Sequence, residues 1–376
     1  MHQQQDRAGQ VCSNCIMDTS DPQISFDKNG VCNHCHHYTK VVQTRTFSDA
    51  ERPAKLNALV EQIKADGQGK DYDCIIGVSG GVDSTYVAYL VKKVLGLRPL
   101  AVHFDNGWNS ELSVMNIENI IKKLDIDLFT HVVDWEEFKD IQLSFLKAST
   151  PDGEIPTDHA INAILFELAV KYNIKHIVNG VNVATEAILP LKWGYGYYDF
   201  RYIKNVQSLF GTQKIKTLPH FNLVQLFYYL IVKKIKMVPL LDYVHYDKAE
   251  AMKLIERELD WRYYGGKHYE SIYTRFFQGY ILPKKFNIDK RRAHLSNQIC
   301  SQQVTREYAV EAIKQPTYSA ELQAGDREYA IKKFGITEGS FENIMQAPPK
   351  TFLDYRTCYH IFEYAKKIKN RLKLKI

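Results

Sequence analysis

No stretch of this sequence is long and apolar enough to span a bilayer. The most apolar run, Leu223–Val232, ends in Lys233 and Lys234 after about ten residues, whereas a spanning helix needs about 20. The run is expected to be a buried helix. Met1 to Gln10 is polar and lacks the apolar core of a secretory leader, so a cytoplasmic location is expected. Internal repeats and low-complexity tracts are also missing, so solenoid and disordered-tail readings are set aside. Neither charge sign dominates: 49 basic against 43 acidic residues leave a formal net charge of +6. Part of that excess is the run Lys366, Lys367, Lys369, Arg371, Lys373 and Lys375, which reads as a solvated helix end. A basic surface suits phosphate-bearing substrates or nucleic acid, and the charge count does not choose between them.

What is present is ordinary in bulk and specific in detail. Hydrophobic residues make up 45% and charged residues 24%, the balance of a globular chain with a sizeable core. At 376 residues the chain exceeds one average domain, so two domains and a small appendage are expected. Four of the seven cysteines form Cys12-x2-Cys15 and Cys32-x2-Cys35, separated by 16 residues. That is the spacing of a four-thiolate zinc site. Ile24 and Phe26 alternate as a short strand before the turn residues Lys28-Asn29-Gly30, forming the hairpin that brings the pairs together. Two disulfides would need an oxidising compartment, and an iron–sulfur cluster or replacement of one thiolate by His34, His36 or His37 is also open. With four protein ligands the Zn2+ is structural, since no position is left for a substrate. Such a ribbon depends on its metal to fold, and it serves to clamp the N-terminus or to meet a partner. Cys74 lies in an apolar strand and packs as a small hydrophobe.

The segment Cys74-Ile-Ile-Gly-Val-Ser79-Gly80-Gly81-Val82-Asp83-Ser84-Thr85 reads as a strand, a glycine-rich turn and the start of a helix with Val87, Leu90, Val91 and Val94 on one face. Such a turn aims backbone N–H groups and a helix N-terminus at one point, where an anion binds. Gly80 and Gly81 let the backbone approach it, and Ser79, Ser84 and Thr85 add hydroxyls. Asp83 repels a bare phosphate and therefore implies Mg2+ between carboxylate and phosphates. The loop is neither the Walker loop nor the dinucleotide fingerprint. It resembles the Ser-Gly-Gly-x-Asp-Ser loop of the PP-loop ATP pyrophosphatases, a superfamily that includes GMP synthetase, NAD synthetase, asparagine synthetase, argininosuccinate synthetase and the tRNA thiolases.

Further strands are expected at Leu100–Asp105, Thr130–Val133 and His176–Gly180, with a helix at Ala160–Tyr172. Alternating strands and helices predict an α/β parallel sheet with ligands at its carboxyl ends. By resemblance to the superfamily, Asp105 and Asn106 end the strand that contacts the nucleoside, and Gly180 and Asn182 end the strand beside the nucleotide. All four are also common turn residues.

The sequence shows no sign of a glutaminase of its own, with no cysteine at position 2 and no nucleophile elbow carrying one, so ammonia is expected to come from another polypeptide. Cys300 and Cys358 form no C-x2-C pair, which argues against a sulfur-transfer cluster. The cysteine pairs, the phosphate loop, Phe104-Asp-Asn-Gly-Trp-Asn109, Pro156-Thr-Asp-His159, Gly265-Gly-Lys-His-Tyr-Glu270 and Asp289-Lys-Arg-Arg-Ala-His294 together resemble the N-acetyl sugar amidotransferases of bacterial surface-polysaccharide synthesis (the WbpG/PseA type). The resemblance runs from Cys12 to about Pro349. It implies ATP-dependent conversion of an acetamido to an acetamidino group on a nucleotide-linked N-acetyl sugar. The ammonia would come from glutamine through a glutaminase subunit and a cyclase-like subunit, similar to the imidazole glycerol phosphate synthase pair, without nucleic acid. Lys267, Arg275, Lys290, Arg291 and Arg292 are the candidates for the phosphate clamp. Glu270 is a candidate second metal ligand or general base, and His159 a substrate-site group or a structural residue. The Gly-Tyr-Gly segment at 194–196 is expected to cover a site.

The expected map is a zinc ribbon at 1–45, a helical connector at 46–70, the nucleotide domain at 71–245 and a mainly helical region at 246–376 that completes the site. The competing readings are a tRNA-modifying thiolase, which predicts salt-sensitive RNA binding, and a non-enzymatic scaffold for partner subunits.

Overall fold

The computed structural model describes residues 9–266 and 268–372, with side chains described through Ile368. Among them a five-stranded sheet runs in the order β3-β2-β1-β4-β5. The strands are β1 Cys74–Gly77, β2 Pro99–Asp105, β3 Asp127–Val132, β4 His176–Asn179 and β5 Lys236–Pro239. All pairings are parallel, with Ile76 opposite Ala101 and Ile75 opposite Ile177. The first four strands fall where the apolar runs predict them; β5 is short and had no such run of its own.

The pleat divides the apolar strand residues between two layers. Cys74, Ile76, Ala101 and Val178 face the helices Val82–Tyr89, Glu111–Leu124 and Lys248–Leu259. Ile75, Leu100, Val102 and Ile177 face the helix Ile155–Lys171. Burial on both sides is why β1, β2 and β4 read as largely apolar runs. The chain leaves β1 toward β2 and β3, then crosses back to β4 on the other side. The gap between the ends of β1 and β4 is therefore a topological switch point, where open α/β sheets bind ligands.

The Ile155–Lys171 helix starts before the expected Ala160, because Pro156 occupies its first turn, where a missing N–H costs nothing. Thr157 and Asp158 thereby join its exposed end. The Leu223–Val232 run corrects the expectation of a buried helix. It forms an α-helix at Leu223–Phe227 continued by a π-helical turn at Tyr228–Val232. Only Tyr229 is buried, packed on Phe166 and Phe221, whereas Val224 is 77% and Phe227 61% exposed. The run is apolar on more faces than its neighbours cover. Among the described residues no helix is long and apolar enough to cross a membrane.

The third core joins the N-terminal cysteines to the helical C-terminal half: Cys12, Cys15, Cys32 and Cys35 share one apolar cluster with Phe138, Phe145, Phe276, Phe277 and Phe341. Arg306 donates to the carbonyls of Cys12 and Cys15 at 3.1 and 3.2 Å, Arg292 to that of Ile16 at 3.0 Å, and the Ile16 N–H donates to Ser296 Oγ at 3.2 Å. The ribbon is thus clamped to helices from the far end of the chain.

Candidate active site

The turn after β1 is built by its own hydroxyls and by aromatic residues far away in sequence. Ser79 Oγ and Ser84 Oγ lie 3.1 Å apart, and the Gly81 N–H donates to Ser79 Oγ at 3.2 Å. Gly80 has φ +75°, and a Cβ there would sit 2.6 Å from the Ser113 carbonyl oxygen, so only glycine fits. Gly180, at the end of β4, packs its bare Cα against the Asp83 backbone. Trp261 Nε1 donates to the Gly80 carbonyl at 2.8 Å, and the Tyr246 hydroxyl donates to Asp83 Oδ1. Thr85 is the exception among the loop hydroxyls: it is buried and donates to the Gly81 carbonyl at 2.6 Å, bracing the helix start.

Two hollows meet at this turn. One, of about 260 Å³, is lined by Gly81, Asp83, Gly180, Glu186, Lys248 and Tyr264. The other, of about 640 Å³, is lined by Val102, His103, Asn106, Glu154, Asp158, Tyr197, Lys290 and His294. Both touch Ser79, Ser84, Glu186, His268 and Glu270, so the phosphate turn forms their common edge. The smaller hollow collects three carboxylates and a lysine beside the helix N-terminus, a set suited to Mg2+ and polyphosphate. The larger one has apolar walls with a few polar groups, as a nucleoside-plus-acceptor site requires.

Glu270 stands at that shared edge. Burial pushes its carboxyl up, but His268, 3.4 Å away, and the Tyr264 hydroxyl outweigh this and hold it below the usual range. Its Oε2 is buried without a hydrogen-bond partner among the described residues. His268 has φ +65°, a left-handed conformation of the kind that clusters at ligand sites. Tyr264 and Tyr246 are pushed well above the usual tyrosine range by burial and by the carboxylates they face, so both remain donors.

The remaining candidates divide. Asn106 lines the larger hollow, with Nδ2 donating to Thr157 Oγ1 at 3.3 Å. Asp105 instead ties its own turn, accepting from Gly107 N–H at 2.9 Å and Asn109 Nδ2 at 3.1 Å. Asn182 is buried and caps the Val183–Glu186 helix by accepting from Thr185 N–H at 2.8 Å. Of the basic candidates, Lys290 lines the larger hollow and Lys267 lies outside the described residues. Arg291 is held by Asp289 at 2.7 Å and Arg275 by Asp326 at 2.7 Å, while Arg292 reaches Asp18 at 3.1 Å in the ribbon. None of these three arginines lines either hollow, because each guanidinium is satisfied by a carboxylate nearby. His159 is structural in place: burial pushes it down to about 4, Nδ1–H donates to the Tyr197 carbonyl at 3.0 Å, and Nε2 accepts from Phe221 N–H at 3.3 Å. In the Gly-Tyr-Gly segment Tyr195 is core, stacked on Phe352, and Tyr197 just beyond it reaches the hollow.

Sequence reasoning alone did not single out Glu186, Lys248, Tyr246, Trp261, Glu154 or Asp158. Asp158 carried a faint signal as part of the Pro156-Thr-Asp-His159 stretch; the others carry no spacing that marks them.

The four N-terminal sulfurs converge. Cys12–Cys35, Cys15–Cys32 and Cys32–Cys35 are 3.8, 3.7 and 3.8 Å apart, and sulfurs 2.3 Å from a tetrahedral zinc would be about 3.8 Å apart. All four thiols are free of disulfides. Backbone N–H groups of Asn14, Cys15 and Cys32 point at Cys12 Sγ, the way amides solvate metal thiolates. His34 and His36 are bound to Asp21 and Asp27, and among the described residues the metal-ligand cluster consists of the four cysteines alone.

Residues 270–369 match the family described as LPS biosynthesis protein WbpG-like, C-terminal domain, and residues 55–223 match NAD synthase. The chain is similar to a glutamine-hydrolyzing GMP synthase of Pyrobaculum aerophilum, 39% identical over 83 residues that cover 22% of this chain and 16% of that protein. An uncharacterized protein of Methanocaldococcus jannaschii is 26% identical over 174 residues, 45% of this chain and 58% of the relative. The chain thus spans 16% and 58% of the length of these curated relatives. Among solved structures, an NH3-dependent NAD synthetase of Campylobacter jejuni matches at 13% identity, covering 80% of this chain and 97% of the other, with a TM-score of 0.32. An NMN synthetase of Francisella tularensis matches at 18% identity, covering 56% and 87%, with a TM-score of 0.28.

Proposed function

We infer, for a chain that joins an NAD synthase-like PP-loop domain to a WbpG-like C-terminal domain and so belongs with the PP-loop ATP pyrophosphatases, an ATP-dependent amidotransferase acting on the acetamido group of a nucleotide-linked N-acetyl sugar. The pathway is bacterial surface-polysaccharide synthesis in the cytoplasm. The ammonia is glutamine-derived and is delivered by a glutaminase subunit and a cyclase-like channel subunit. One observation carries the reading: a phosphate-binding turn forms the common edge of a small carboxylate-lined hollow and a large acceptor hollow.

That layout suits adenylation. Pyrophosphate departs into the small hollow, where Gly81, Ser84 and the helix N-terminus receive its charge and Lys248 stands by. Asp83, with Glu186 and Glu270, would hold Mg2+, which neutralises charge on the polyphosphate. The acetamido oxygen attacks the α-phosphorus from the large hollow. An amide oxygen is a poor leaving group, but as an adenylate it leaves as AMP when ammonia attacks the carbon. Tyr197 and Ile161 give the sugar an apolar wall. The four cysteines would hold a structural Zn2+ that fastens the N-terminus to the C-terminal helices.

The test compares AMP and pyrophosphate release from ATP, Mg2+ and ammonium chloride with a UDP-linked N-acetyl sugar or with bulk tRNA. Sugar-dependent AMP release, with a product in which NH replaces oxygen, is expected. AMP release with tRNA alone overturns the sugar reading and moves the chain to the RNA-modifying branch.

A further inference from the structure

The Leu223–Val232 segment turns an apolar face to solvent. Val224, Phe227, Tyr228 and Ile231 follow the spacing of one helical face and are exposed, as are Leu230 and Val232 beside them. The other side is closed. Tyr229 packs there on Phe166 and Phe221, and burial, then the charge of Glu167, raises its hydroxyl. Apolar side chains scattered singly over a surface need no explanation, but a contiguous set of this kind marks an interaction face.

Charge narrows what it meets. From Arg201 to Leu241 the chain carries seven basic residues and no acidic one, which exceeds the whole formal excess of +6. The cations stand at both ends of the apolar face. At one end Arg201 and Lys204 share a hollow of about 420 Å³ with Tyr198, Phe200, Leu223 and Val224. At the other, Lys233 Nζ lies 5.6 Å from the centre of the Tyr228 ring, and Lys234 and Lys236 follow in the chain, all three exposed. None of these five cations makes an ion pair with a described residue.

We propose that this face docks on an anionic bilayer surface. Phe227 and Ile231 enter the acyl boundary, while Arg201, Lys204, Lys233 and Lys234 reach the headgroup phosphates, the arrangement of a helix lying in the membrane interface. Ten residues lie on a bilayer and do not cross it. A second copy of the chain suits the face less well, because a two-fold contact centred on it sets the same cations against one another. Nucleic acid also suits it less well, since most of the exposed groups are aliphatic and give bases nothing to stack on. Docking brings the acceptor hollow close to the membrane: Tyr198 of the basic-rimmed hollow and Tyr197 of the acceptor hollow are neighbours, their ring centres 4.5 Å apart. The chemistry proposed above is not needed for this binding.

The test is flotation of the full chain with phosphatidylcholine vesicles, with and without about one third phosphatidylglycerol. Flotation with the anionic vesicles alone, weakening as salt rises, is expected. Phe227→Ser combined with Ile231→Ser should lower the bound fraction at least about tenfold at an unchanged melting temperature, since both side chains are exposed. Lys233→Glu combined with Lys234→Glu leaves the apolar face whole and should lower it by a similar factor; this pair decides should the first variant fail to fold. Three results overturn the proposal: wild type that does not float, equal flotation with neutral vesicles, or either folded variant floating like wild type, which would move the binding to the C-terminal lysine run. A dimer that the Phe227 and Ile231 changes break, without flotation, assigns the face to a second copy. Salt-sensitive tRNA binding without flotation assigns it to nucleic acid. Either assignment likewise overturns the bilayer.

Discussion

Gly80 shows how little freedom single residues have at this site. Its φ of +75° and the Ser113 carbonyl 2.6 Å from the position of a Cβ mean that Gly80→Ala must move either the phosphate turn or the Glu111–Leu124 helix. The strain is of order 1–3 kcal/mol. The expected outcome is a lower melting temperature together with at least a tenfold loss in kcat/KM for ATP; an unchanged KM and kcat would show that the turn does not hold the nucleotide as described. The loop glycines and serines were legible because a strand, a turn and a helix follow one another within a few residues. Sequence does not tell that the hydroxyl of Thr85, grouped there with the loop's ligand hydroxyls, donates back to the Gly81 carbonyl. The residues that grip the loop from outside, Tyr246 and Trp261, carry no signal at all: they are brought to the loop by the sheet crossover and not by spacing.

Among the elements, the ribbon was the most legible and its setting the least. Two C-x2-C pairs announce four converging sulfurs. Nothing in them announces Arg306 and Ser296, which tie the ribbon to helices from the other end of the chain. Cys12→Ser removes a sulfur that also receives the N–H groups of Asn14, Cys15 and Cys32. The purified variant should lose stoichiometric zinc by metal analysis while the phosphate turn still binds ATP. Retained stoichiometric zinc would contradict the ligand set. The Leu223–Val232 segment taught the opposite lesson: an apolar run predicted burial, but packing on Phe166 and Phe221 occupies one side and leaves the rest in solvent. Apolar content reports what a helix can bury, not how many neighbours it meets.

At the scale of the whole molecule, the parallel sheet places the turn after β1 and the end of β4 side by side, and the C-terminal half closes over them with Tyr264, His268, Glu270 and Lys290. A parallel sheet was implied by the alternation of elements; its strand order was not. Which basic residues face the hollow was not, because a guanidinium such as Arg291 or Arg275 is claimed by the nearest carboxylate and only the folded chain shows which one. The central claim is that the acetamido oxygen, and not water or a backbone group, attacks ATP. It is tested most directly by supplying the UDP-linked N-acetyl sugar with 18O in its acetamido group, together with ATP, Mg2+ and ammonium chloride, and weighing the AMP released. The account predicts one 18O atom in each AMP, matched to amidine formed; AMP without the label, alongside a sugar that keeps its oxygen, would contradict it.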